Sequence, residues 1–135
     1  MKIKEIVKAI LAVAVIGAAG LGDNPKMQPE PESLGDFTIT AYCGCPTCCG
    51  IWSSDTPMTA SGEPSEEGVT VAADWNTFPD GTKIEIEGLG EYKVQDKPAE
   101  WIIEKYDGRI IDIYFEDHED ALKFGKQQRG VYKVE

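Results

Sequence analysis

Long hydrophobic runs are scarce in this 135-residue chain. The longest, AILAVAVIGAAGLG at residues 9–22, has 14 residues, short of the ~20 that a membrane-spanning helix needs. Behind the lysine-rich start MKIKEIVK it reads as the core of an export signal, with small residues at Gly17 and Ala19 placing cleavage near Ala19. An uncleaved N-terminal anchor is the alternative, and membrane contact is expected only through it. Basic residues are few as well: 13 Lys and Arg face 24 Asp and Glu, a net charge of −11. So acidic a surface repels phosphate backbones, which excludes nucleic acid as a partner. Histidine occurs once, and His118 at an acidic helix start reads as a solvated residue without a catalytic part. No internal repeat, nucleotide-binding glycine loop or nucleophile–base pair is found, so no cofactor is expected.

Cysteine is confined to one place, Cys43-Gly-Cys45-Pro-Thr-Cys48-Cys49. In an exported chain an even count reads first as disulfides, here two bridges tying the first strand to the loop that follows. Three pairings are open, and the neighbours Cys48 and Cys49 are expected to bond to different partners, because a bridge between adjacent residues is strained. A metal clasp is the competing reading. Zinc sites usually join two separated cysteine pairs and no second pair exists here, so no metal is expected.

Past the leader (residues 1–22), the proline- and acid-rich segment 23–35 has little to bury and reads as a linker. The domain, 36–135, opens with FTITAY, whose alternation is that of a half-buried strand. A polar loop follows, with Trp52 and Met58 expected to pin it to the body. VTVAAD, TKIEIEG, EYKVQD, IIDIYF and VYKV supply five more strands, TKIEIEG and EYKVQD as a hairpin. DHEDALKFG reads as a short helix: Asp117 is its N-cap, Ala121, Leu122 and Phe124 pack, and Gly125 closes it. Short strands and frequent turns favour a barrel at this size. The segment 97–109 is long and aromatic for a connector and reads as a lip over a cleft, with Trp101 facing the substrate.

Three of these strands end on or contain an aspartate: Asp74, Asp96 and Asp112. A carboxylate at the end of an apolar strand is costly to bury without a partner or a task. Three of them point to a closed sheet that gathers them at one cleft. Partial burial and mutual repulsion would raise one carboxyl pKa, as glycosidic bond cleavage by acid catalysis requires.

VAAD with Phe78-Pro79-Asp80-Gly81-Thr82 behind it, GLGEYKVQD and IDIYFEDHEDALKFGKQ occur in that order. Over roughly residues 36–134 the chain resembles the three-aspartate (3D) domain. That domain is shared with the catalytic region of membrane-bound lytic murein transglycosylase A and with the stationary-phase survival proteins. The resemblance implies an all-β fold, a small six-stranded double-psi β-barrel with one short helix near the C-terminus. It further implies an exported bacterial enzyme of the cell wall or extracellular space. Such an enzyme cleaves peptidoglycan glycan strands as a monomer and leaves anhydro-muramic ends. Asp96 matches the middle aspartate, the single general acid and base; Asp74 and Asp112 match the first and third, which shape and tune the site. Thr59-Ala60-Ser61-Gly62 is similar to a family segment near the substrate, which implies substrate contacts for Thr59 and Ser61. Family members from Gram-positive bacteria often carry a comparable cysteine-rich turn. The chain departs from the family after Asp96, where Lys97-Pro98-Ala99-Glu100-Trp101 replaces a glycine-rich loop. A peptidoglycan-binding module that does not cut is therefore the alternative function.

Overall fold

In the computed structural model, residues 30–134 are described. The expected leader, the cleavage expected near Ala19 and most of the stretch read as linker lie outside the described residues.

Six strands close into a barrel: β1 (Glu32–Tyr42), β2 (Thr70–Ala73), β3 (Lys83–Ile86), β4 (Gly90–Asp96), β5 (Ile110–Tyr114) and β6 (Gln127–Val134). Around the barrel the order is β1-β5-β2-β4-β3-β6. Two neighbours, β1–β5 and β2–β4, are parallel and the other pairs antiparallel. This is the closed six-stranded barrel that the strand count and alternation led us to expect. β1 starts earlier than expected: Glu32 and Ser33, inside the stretch read as linker, pair with Lys133 and Tyr132 of β6.

Alternation explains the core. Ile84 and Ile86 are fully buried while Lys83 and Glu85 between them are exposed, the period-2 pattern of a strand with one apolar face. Phe37, Ile39, Val71, Ala73, Val94, Ile111, Ile113 and Val131 join them inside. These are mostly β-branched side chains, which fit a pleated, buried surface. The β3–β4 hairpin turns at Gly88, whose φ of +77° suits glycine, and a Cβ there would stand 2.7 Å from the Arg129 guanidinium.

Among the described residues three short α-helices decorate the barrel, two more than expected: α1 (Pro46–Cys49), α2 (Glu100–Lys105) and α3 (His118–Phe124). The third is the expected one. Asp117 caps it by accepting a hydrogen bond from the Glu119 N–H, and Gly125 ends it at a φ of +66°. Ala121 is buried in it and Phe124 packs tilted against Phe115, but Leu122 is exposed rather than packed. In a seven-residue helix laid over a curved wall, only the face carrying Ala121 and Phe124 meets the barrel.

Candidate functional site

The site is built by strand register. Thr40 of β1 pairs with Asp112 of β5, Asp112 with Ala72 of β2, and Ala72 with Asp96 of β4. Paired residues point to the same side of a sheet, so these four form one row. Each alternates with core residues (Ile39, Val71, Ala73, Ile111 and Ile113), so the row lies on the outer wall of the barrel. A register shift on β4 sets its far end: Val71 faces Val94, yet Ala72 faces Asp96. The extra residue, Gln95, is 5% exposed, accepts a 2.6 Å hydrogen bond from Thr70 Oγ1 and donates to Glu63. Such bulges re-aim side chains, and this one turns Asp96 toward Asp112. With strands ~4.8 Å apart, the two Cα atoms stand ~10 Å apart across the small Ala72 side chain.

A cleft of about 830 Å³ covers this row, with Tyr42, Ala72, Asp96 and Asp112 among its lining residues. Ile51, Trp52 and Met58 line it from the loop after α1, and Ile102 lines it from α2. Trp52 and Met58, 79% and 58% exposed beside Ile51 at 90%, do not pin the loop as the sequence led us to expect. They form an open apolar rim.

Within the cleft the two carboxyl groups are held differently. Asp96 accepts three hydrogen bonds: from Tyr42 Oη at 2.9 Å, from the Ala60 N–H at 3.0 Å and from its neighbour's Lys97 N–H at 2.9 Å. Burial and the Asp96 charge push the Tyr42 hydroxyl far above its ordinary range, so it stays a donor. Asp112 accepts one bond, from Thr40 Oγ1 at 3.0 Å. Burial pushes the Asp112 carboxyl up to about 7; the nearby Asp96 charge adds to this and the Thr40 bond opposes it. Replacing Thr40 with valine removes that opposition. The Asp112 midpoint in a Thr40→Val variant is expected to rise further, as read from the carboxyl titration by NMR.

Other expected site residues fall elsewhere. Asp74 is not among the lining residues. Its carboxylate accepts from the Asn76 N–H at 3.1 Å and its carbonyl from the Thr77 and Phe78 N–H groups, so it organises the turn after β2. Thr59 lines the cleft, but its hydroxyl donates to the Glu63 carbonyl at 2.7 Å and contacts Ser61 Oγ at 2.6 Å. What this turn offers the site is the intervening Ala60 N–H on Asp96. Trp101 on α2 is 65% exposed and is not among the lining residues; Ile102 beside it is. The indole that lines the cleft is Trp52, while Trp75 supports β4 from outside the lining, donating Nε1–H to the Asp96 carbonyl at 3.0 Å and lying under Lys97 Nζ.

The cysteines depart from expectation. All four are free, so the two expected disulfides are not formed. Cys43 Sγ lies 3.0 Å from Cys45 Sγ and 3.5 Å from Cys48 Sγ, well beyond the ~2.05 Å of a disulfide bond. His118 Nδ1 stands 3.4, 3.3 and 3.6 Å from the sulfurs of Cys43, Cys45 and Cys48. His118 is therefore no solvated bystander; it completes a four-membered group. Cys49 turns the other way, donating to the Cys43 carbonyl at 3.0 Å and lining the cleft. No family model and no curated protein matches this chain.

Proposed function

We propose that this protein is an exported cell-wall enzyme of the three-aspartate type that cleaves glycosidic bonds in peptidoglycan glycan strands. The observation that carries the reading is a pair of carboxyl groups in one cleft, of which Asp112 has its pKa raised to about 7. An acid that keeps its proton near neutral pH is what the leaving sugar oxygen requires. The raised group is the third aspartate, so the proton is assigned to Asp112 and not to Asp96, the residue the resemblance would favour.

In this reading Asp112 donates its proton to the glycosidic oxygen as the C1–O bond of the muramic residue breaks. Asp96, held in place by Tyr42, Ala60 and Lys97, stabilises the positive charge that develops at C1. The sugar's own C6 hydroxyl attacks C1 and passes its proton to Asp112, which restores the acid and consumes no water. The open apolar rim of Ile51, Trp52 and Met58 offers the sugar faces a surface to lie on.

The test is mass spectrometry of purified peptidoglycan after incubation with the protein. Anhydro-muramic ends are expected. New reducing ends would mean that water is the nucleophile and the enzyme a hydrolase. Binding without either product would leave a glycan-binding module and sink the catalytic reading.

A further inference from the structure

We infer that Cys43, Cys45, Cys48 and His118 form a zinc site that fastens the cleft loop to the barrel. The ligating atoms all lie within 4.8 Å of one another. A tetrahedral zinc with ~2.3 Å bonds to sulfur and ~2.05 Å to nitrogen requires S···N edges of about 3.6 Å and S···S edges of about 3.8 Å. The three S···N separations of 3.3–3.6 Å meet that requirement. The Cys43 sulfur contacts, at 3.0 and 3.5 Å, need to open by less than an ångström, which χ1 rotations of the half-buried Cys45 and the exposed Cys48 can supply.

The donor set chooses the ion. Three thiolates and one imidazole are soft and borderline ligands that favour zinc over magnesium or calcium, which take oxygen. Four protein ligands leave no open position, so the site is structural and not catalytic. The chain is shaped for it: Gly44, between two of the ligands, has no room for a side chain, since a Cβ would stand 2.7 Å from Pro57 Cγ. Pro46 opens the turn that carries Cys48. On the other side, the Asp117 cap fixes the start of α3, where His118 sits. The two halves leave the same end of the barrel, because β1 and β5 run parallel with Tyr42 beside Tyr114. The loop held this way includes Ile51 and Trp52, so the metal would set one wall of the cleft.

The experiment uses the full chain, purified under reducing, anaerobic conditions without a histidine tag. Elemental analysis is expected to find one zinc per chain, and cobalt exchanged into the site is expected to give the intense ligand-field bands of a tetrahedral, thiolate-rich centre. His118→Ala and Cys48→Ser should each lower zinc content at least tenfold, while Cys49→Ser should retain it. Because a ligand variant could simply misfold, the cobalt spectrum of the unaltered chain stands as an independent readout. Reduced protein that stays metal-free when supplied with zinc overturns the inference, as does octahedral cobalt or a Cys49→Ser variant as depleted as His118→Ala.

Discussion

Asp112→Asn is expected to lower glycan cleavage by ~10²–10⁴-fold, the usual contribution of a general acid, with binding of intact glycan retained. The amide keeps the shape of the carboxyl and can still accept from Thr40, but it has no proton to give the leaving oxygen. In the parent protein cleavage should fall as pH rises through about 7, where Asp112 loses its proton. Stability carries the same signature with its own sign. A carboxyl whose pKa is raised on folding contributes fully below its ordinary value of 3.8, and that contribution is lost as pH rises through about 7. The thermal stability of the parent should therefore fall across that window, and Asp112→Asn should not share the loss. Undiminished cleavage by Asp112→Asn would remove it as the acid and make Asp96 the next to test.

Asp96→Asn is expected to cost ~10²–10³-fold in cleavage at its own optimum, the scale on which removing one preorganised electrostatic contact acts. Its second effect separates the two aspartates. The Asp96 charge helps hold the Asp112 pKa up, so neutralising it should move the alkaline limb of the pH profile to lower pH. The fold should tolerate the change. The amide oxygen can keep the Ala60 and Lys97 N–H bonds, and its NH₂ can donate to Tyr42 Oη in place of the bond Tyr42 now donates. An Asp96→Asn enzyme whose pH profile matches the parent's would show that the two carboxyl groups do not communicate.

That both aspartates would line one cleft was legible because each stands at a fixed place on an apolar strand. Their proposed division of labour was not. It follows from depth beneath the cleft loop and from the bulge at Gln95, and neither a bulge nor a covering loop leaves a periodic mark in sequence. Asp74 was drawn into the site by the same pattern, and the structure turns it to the Asn76–Phe78 turn instead. The helical spacing of Trp101, Ile102 and Tyr106 was visible in sequence. Which side faces the cleft depends on how α2 docks, and Ile102 took the place expected for Trp101.

Local chemistry is what the sequence determined alone. Alternating β-branched residues can bury only one face of a strand, turn residues cut them into short pieces, and Asp117 with Gly125 bounds a helix. A small β-barrel follows from those constraints. Only the tertiary structure could decide which distant residues meet. Cys43 follows the end of β1 and His118 follows the end of β5, 75 positions apart. Nothing local couples them; the parallel Tyr42–Tyr114 register delivers both to one end of the barrel. Four clustered cysteines behind an expected export signal read as disulfide-bonded until a single histidine is brought among three of them, and long-range strand pairing is what brings it there.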